Sequence, residues 1–312
     1  MKYIELTYPH DLQKDDIEDT VAAIGFFDGI HRGHRAVIQQ ALDIAQVENK
    51  KSAVISFHPH PSVILRRTEE KVRYITTLEE KQKILKEMGV DYLYIITFNE
   101  ELSKLSPQTF LDHFIVGLHI THLVAGFDYT FGHKGAGNMD NIDEMAQGRF
   151  HTTVVEKLEN GADKISSTRI RELLRSGAVH EIPNLLGRVY ESTGTVVRGD
   201  NRGGSQLGFP TANIKVDEDK FLPKQGVYAV KVHFNDQVYE GMANLGVVPT
   251  FTDDRSELKL EVNIFDFNET IYGETLTVEW HQFIREEKKF SGVEEIIAQL
   301  KQDEEKIRAF FA

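Results

Sequence analysis

Hydrophobic and polar positions follow two rhythms along the chain, and the change between them falls near Gly187. Upstream, Val21 to Phe27, Ala53 to Phe57, Tyr92 to Phe98 and His122 to Phe127 are short, mostly apolar runs. Each has a stretch of helical character before or after it, the texture of parallel strands covered on both faces. Directly after the first run, Arg35 to Val47 alternate apolar and polar at helical spacing, which predicts strand, turn and helix in succession. Thr77 with Glu80 makes a capping box for a helix through Met88 that Gly89 ends, and Ser106-Pro107 opens another. An α/β domain with a parallel sheet is therefore expected for residues 1–186.

From Gly187 the texture is β. Residues 188–199, 226–234, 237–246, 259–267 and 274–284 are alternating or β-branched runs separated by Gly, Asn and Asp turns. Asn235-Asp236 reads as a hairpin turn, and short strands at this spacing suggest an antiparallel barrel, closed so that no edge is exposed. At the end, Ser291 with Glu294 is expected to cap a helix whose Ile296, Ile297, Leu300, Ile307 and Phe310 form a packing stripe. The second domain is then 187–312, joined at Pro183 to Gly187 with no low-complexity linker.

Composition narrows the class of partner. The chain has 312 residues, long for one domain, with 40% hydrophobic and 27% charged residues, as in ordinary globular proteins. A net charge of −13 argues against a large nucleic-acid footprint, which needs a basic face. Small anions remain suitable ligands, because glycine turns and a few cations can bind them locally. The absence of cysteine removes disulfides, thiolate metal sites and cysteine nucleophiles together. With no apolar leader and no run long enough to span a membrane, the expected location is cytoplasmic. Nothing in the chain implies an obligate protein partner.

The chemistry starts where the first strand meets its helix. Residues 25–34 read GFFDGIHRGH, placing His31 and His34 on that turn with Gly25, Gly29 and Gly33 around them. Unpaired amides and the helix dipole favour an anion there, and histidine N–H groups suit phosphate oxygens. Three more clusters lie at strand ends or helix starts, the edge where open α/β sheets bind ligands. They are His58-Pro59-His60-Pro61, then Phe127 to Asn138 with Asp128, Gly132 and Lys134, then Ile165 to Gly177. In the last, Ser166, Ser167 and Thr168 suit a helix cap and its exposed amides, while Arg169 and Arg171 carry charge suited to a triphosphate.

The turn is similar to the HxGH signature of the nucleotidyltransferase superfamily, which includes class I aminoacyl-tRNA synthetases; Phe27-Asp28-Gly29 ahead of it is closer to the FAD synthetase branch. Together the clusters resemble the adenylyltransferase module of bacterial bifunctional riboflavin kinase/FAD synthetases, in order along the chain. Gly25 to His34 match its GxFDGxHxGH turn, Phe57 to Pro61 its FxPHP segment, Phe127 to Gly132 its G-[ND]-[FY]-x-FG segment, and Ser166 to Arg171 its SSTxIR helix start. His58 stands where that family often has Asp, and Asp128 removes an amide contact that Asn would offer.

In the second half, Gly194 to Ile214 hold glycines at 199, 203, 204 and 208 followed by Phe209-Pro210-Thr211-Ala212-Asn213. A glycine loop can wrap phosphates, and a hydroxyl with an amide suits magnesium. This phrase resembles the PTAN signature of riboflavin kinases. Met242 to Phe251 resemble their N-[IL]-G-x-x-PTF segment, Leu260 to Phe267 the segment carrying the family's base, and Ile284 to Phe290 one near the flavin. In the glycine loop, Arg202 to Pro210 are one residue longer than the usual RGRxLGFP and lack its second arginine, and Asn263 stands where His is frequent.

The resemblance implies a Rossmann-like nucleotidyltransferase domain followed by a riboflavin-kinase-like barrel with a C-terminal helix. ATP, riboflavin, FMN and FAD are the implied substrates and products, with Mg2+ as cofactor. It implies catalytic roles for His31, His34, Arg169 and Glu261. Nucleotide or flavin contacts are implied for Gly25, Phe27, Asp28, Gly33, His58, Pro59, Asp128, Gly132, Ser167, Thr168, Arg171, Gly199, Gly208, Phe209, Pro210 and Arg285, and metal contacts for Thr211 and Asn213. An FAD synthetase whose barrel has lost most kinase activity is an alternative, as is a non-catalytic flavin or nucleotide sensor.

Overall fold

A computed structural model describes residues 1–12, 17–66, 72–160, 163–199, 208–248 and 257–312. The altered glycine loop at Arg202 to Gln206 and the PTF part of the 242–251 segment lie outside these residues. By internal contacts the chain divides into two units, Met1–Ser167 and Thr168–Ala312.

In the first unit the strands are β1 (Lys2–Leu6), β2 (Thr20–Ile24), β3 (Lys51–His58), β4 (Tyr92–Thr97), β5 (Ile120–Gly126), β6 (Thr130–Phe131), β7 (Gly137–Asn138), β8 (His151–Val155), β9 (Glu159–Asn160) and β10 (Asp163–Lys164). The helices are α1 (Arg32–Val47), α2 (Pro61–Arg66), α3 (Leu78–Glu87), α4 (Glu100–Ser103), α5 (Pro107–Phe110), which runs on as π-helix through Leu111–Val116, and α6 (Ile142–Ala146). Six strands form one parallel sheet in the order β1-β4-β3-β2-β5-β8, while β6-β7 and β9-β10 are small separate pairs. Alternation along the strands sends residues to two cores. Ala22, Ile24, Ile55 and Tyr94 join Phe110 and Phe114 on one face; Val21, Ala23, Val54 and Leu93 join Ile38, Ala41 and Leu85 on the other. From β2 the chain moves through α1 to β3 on one side, and β5 is later laid on the other. The C-terminal edge of β2 is therefore at a switch point, where such sheets leave a crevice.

The apolar run at Val21 to Phe27 is strand only to Ile24, and α1 begins at Arg32 rather than near Arg35. Gly25 and the left-handed Phe27 take the chain out of extended geometry, so the run's last residues belong to the turn. The α3 capping box is present as expected, with Glu80 N donating to Thr77 Oγ1 and Thr77 N to Glu80 Oε2. The edge strands β1 and β8 add to the four strands expected from the sequence.

In the second unit, α7 (Ser167–Ser176), which starts one residue before the division, and α8 (Ile182–Leu186) precede the strands. The barrel consists of β11 (Tyr190–Val197), β12 (Ala212–Val216), β13 (Gly226–Phe234), β14 (Gln237–Val248), β15 (Glu257–Ile264) and β16 (Thr275–Arg285). It closes in the order β11-β12-β15-β14-β13-β16, all antiparallel. Asn235 (φ 48) and Asp236 (φ 60) make the expected hairpin turn. Tyr228, Val230, Val278 and Trp280 are fully buried, and Trp280 Nε1 donates to Ser192 Oγ at 3.0 Å. Val227, Ala229, Met242, Phe209 and Phe265 cluster with Ile307 of the last helix, α9 (Val293–Phe311).

Two expectations change here. The strand texture begins after Gly187, and by internal contacts the residues from Thr168 group with the barrel: Lys224 N donates to Leu174 O at 2.8 Å, and Gly177 abuts Phe283. The cap of α9 is Gly292, with Ser291 one residue outside, and Ser291 N and Oγ donate to Glu295 rather than Glu294. In the packing stripe Phe311 takes the inward place, leaving Phe310 46% exposed.

Candidate active sites

The first site grows from the end of β2. A Cβ on Gly25 would lie 2.9 Å from the Phe27 ring, so the chain leaves the sheet where no side chain fits. Phe27 (φ 50) and Ile30 (φ 42) are both left-handed without being glycine. Such residues cost about 1–3 kcal/mol each and persist only where the surroundings fix them. Here the fixing groups are buried and polar. The Phe26 carbonyl accepts from Ser56 Oγ at 2.9 Å and from Lys81 Nζ at 2.8 Å, and Lys81 also donates to Ser56 Oγ at 2.9 Å. Asp28, only 4% exposed, accepts from the Thr76 amide at 3.1 Å, and its carbonyl accepts from Ser167 Oγ at 2.9 Å.

That turn delivers the two histidines. His31 is the N-cap of α1, its Nδ1 accepting from the His34 amide at 3.2 Å. With Nδ1 as acceptor, a neutral ring keeps its proton on Nε2 and is a donor there. His34 lies inside the first helical turn, stacked on His31 with centroids 3.5 Å apart and planes at 16°. A Cβ on Gly33 would stand 3.3 Å from the His31 ring, so this glycine gives the stack its room. His34 Nδ1 is buried and has no hydrogen-bond partner among the described residues. Burial first, then His31, then the Lys81 charge hold its pKa well below the usual imidazole range, so the ring is neutral near pH 7. No acidic residue lies in the first turn of α1, so the positive end of the helix dipole is not offset there.

His58 and Pro59 close β3, the strand beside β2, joined by a cis peptide bond. The His58 ring lies 5.6 Å from Tyr74, and Phe26 meets His60 edge-on at 4.4 Å, which lines this edge with aromatic rings. Asp128 is exposed just past β5, whereas Gly132 sits where a Cβ would come within 2.7 Å of the Pro107 backbone. Ser167 spends its hydroxyl on the Asp28 carbonyl. Thr168, Arg169 and Arg171 lie on α7 and fall in the second unit, with Arg169 Nη1 3.4 Å from Glu172 Oε2.

The second site is a row across three strands. Glu261 of β15 pairs with Asn213 of β12 on one side and Asn244 of β14 on the other. Directly opposed residues share a face, so the three side chains stand together. Asn213 Oδ1 is buried with no partner among the described residues, and a Cβ on Gly199 would lie 2.3 Å from Asn213 Nδ2. Gly199 therefore admits the amide. Thr211 is exposed two residues earlier, just before β12 begins. Asn263 Nδ2 donates to the Pro210 carbonyl at 2.6 Å, and Phe209 is buried in the α9 cluster, so the Phe209-Pro210 corner is held from both ends. Gly208 is exposed at φ 80. Lys259 Nζ pairs with Glu261 Oε1 at 2.8 Å. Arg285 Nε donates to Asp303 Oδ2 at 2.8 Å, tying β16 to the fully buried carboxylate on α9.

Sequence reasoning missed Lys81, Ser56, Thr76 and Asn244. For Lys81 a signal existed, since it occupies a buried position of α3 in step with Ile84 and Leu85. A lysine on an apolar stripe asks for a reason.

Comparison with known proteins gives the class. Residues 13–169 match the family model for FAD synthetase, and residues 186–311 that for riboflavin kinase. A Rossmann-like nucleotidyltransferase module followed by a flavokinase barrel defines a two-module flavin transferase. The chain belongs to the bifunctional riboflavin kinase/FMN adenylyltransferase family. It is 48% identical to that protein of Listeria monocytogenes over all of this chain and 99% of the relative, and 42% identical to that of Bacillus subtilis over the same shares. A crystal structure of a macrolide-efflux protein from Streptococcus pneumoniae shares the fold at TM-score 0.88 and 36% identity, covering 99% of both chains. Among the described residues, no helix of the present chain is long and apolar enough to cross a membrane.

Proposed function

We propose that this protein makes FAD from riboflavin in two ATP-dependent steps, working in the cytoplasm. In the barrel, the riboflavin 5′-hydroxyl attacks the γ-phosphorus of ATP. The new O–P bond forms as the β–γ bridge breaks, ADP leaves, and Glu261 accepts the hydroxyl proton. An alcohol carries a proton to remove, which is why a carboxylate belongs here. Thr211 Oγ1 and the unpartnered Asn213 Oδ1 fit a hard, oxygen-seeking cation, and Mg2+ held there offsets charge on the phosphate oxygens.

In the α/β module, a phosphate oxygen of FMN attacks the α-phosphorus of ATP and pyrophosphate departs. This nucleophile is already ionised, so the site needs alignment and positive potential rather than a base. His31 Nε2, His34 and the α1 amides supply both. Thr168, Arg169 and Arg171 are assigned to the triphosphate on the family resemblance.

The observation that carries the proposal is the pairing, in one chain, of a histidine-capped helix for an anionic nucleophile with a carboxylate row for a protic one. One incubation with riboflavin, ATP and Mg2+, resolving FMN and FAD chromatographically, tests it. Both products are expected. FAD from supplied FMN but no FMN from riboflavin leaves an FAD synthetase with a silent barrel, and neither product leaves a sensor.

A further inference from the structure

Lys81 has no part in the chemistry above, yet it is one of the most deeply placed charges in the first unit, 4% exposed on α3. Its ammonium meets the ends of two central strands. It donates to the Phe26 carbonyl just past β2 and to Ser56 Oγ on β3, and Ser56 Oγ donates to that same carbonyl. The Phe26 carbonyl belongs to the peptide that sets φ of Phe27, the left-handed residue from which the histidine turn departs. Rotating this peptide would swing Phe27, and Phe27 packs edge-on against the His34 ring at 5.4 Å.

We propose that Lys81 is a positioning residue for adenylyl transfer: it locks the Phe26–Phe27 peptide and so fixes the His31–His34 pair against the phosphates. The assignment rests on the adenylyltransferase reading of this turn and extends it to a side chain outside the motif. Lys81 does not touch the reacting atoms. Its charge also acts at a distance, adding positive potential at His34, and Asp28 is the carboxylate that faces it.

A purely structural lysine predicts a different outcome from a positioning one. Burial makes the ammonium costly: desolvation pushes its pKa down to about 8, with Asp28 opposing only in part. Removing the ammonium alone leaves the buried Asp28 without the cation that faces it, and breaking one side of a buried charge pair is destabilising. Ser56 remains to hold the Phe26 carbonyl. Lys81→Met is therefore expected to melt below the wild type and, at a temperature where it is folded, to phosphorylate riboflavin normally. Its kcat for FAD formation from FMN should fall by about 10²-fold with KM for ATP within about threefold, because small misplacement of catalytic groups has that scale of effect.

Ser56→Ala removes the second donor to the Phe26 carbonyl, a hydroxyl that also accepts from Lys81, and should lower kcat for FAD by roughly 10-fold on the same grounds. Wild-type kcat for FAD formation in Lys81→Met, or its loss together with an equal loss of FMN formation, overturns the proposal. If Lys81→Met does not fold, wild-type kcat in Ser56→Ala overturns it, and the expected loss with unchanged melting supports it. A wild-type chain that makes no FAD instead refutes the underlying activity.

Discussion

The two proposed sites have opposite architectures. At the α/β turn every fixing group is buried: Asp28, Ser56 and Lys81 hold the backbone, and His31 is both helix cap and donor. In the barrel the working groups stand on adjacent strands, where register rather than a buried polar network sets their spacing. This difference follows the nucleophile. An ionised phosphate needs charge complementarity held rigidly, since preorganised dipoles supply most of the rate. An alcohol needs a base within reach, and a strand face can present one without unusual backbone conformations.

Removing a donor from the rigid site should give the largest effect. His31→Ala deletes the α1 cap and the Nε2 donor together, and kcat for FAD formation is expected to fall by about 10³-fold, the upper range for losing one preorganised donor. KM for ATP should move far less, and FMN formation from riboflavin should stay at the wild-type rate. Unchanged kcat with raised KM would show that His31 binds ATP uniformly and does not act in the transition state.

Glu261→Gln is the counterpart in the barrel. Loss of a positioned base is expected to slow FMN formation by roughly 10²-fold, while FAD formation from added FMN persists. If both activities fell together, Glu261 would be holding the fold, and its ion pair with Lys259 would be the place to look.

Asn213→Ala probes the same row more gently. It leaves Glu261 in place and removes the unpartnered Oδ1, so half-maximal FMN formation should need about 10-fold more Mg2+, the scale of losing one metal-orienting group. A Mg2+ requirement equal to wild type would take the metal away from this amide.

How far each site was legible in sequence follows from the same contrast. The histidine turn was visible because its chemistry is local: glycines and histidines within ten residues, after an apolar run. What supports it was not, because Ser56 and Lys81 come from β3 and α3 and meet the turn only through sheet order and helix packing. In the barrel, β12 is only five residues long, and the alternation of Ala212, Ile214 and Val216 with Asn213 and Lys215 runs through the same residues that carry the PTAN motif. Arg285 shows the converse: its motif was legible, but its tie to Asp303 depends on where α9 docks. Closed barrel, parallel sheet and hairpin were all readable because each rests on periodicity or turn chemistry alone.

The smallest expected effect separates the two sites by pH. Lys81, pushed down to about 8 by burial, loses its charge as pH rises through that value, and the potential at His34 falls with it. FAD formation should therefore decline above about pH 8 by a few-fold, as alignment and charge weaken together. FMN formation, assigned to Glu261, should show no matching limb. Stability moves the other way. Between about pH 8 and the ordinary lysine value of 10.5 the unfolded chain still binds the proton that the folded chain has released, so this group makes the fold more stable as pH rises. Measured as the difference between wild type and Lys81→Met, which cancels the tyrosines titrating in the same range, activity and stability should diverge across this window. A basic limb that survives in Lys81→Met would assign it to another group and leave Lys81 with a geometric role only.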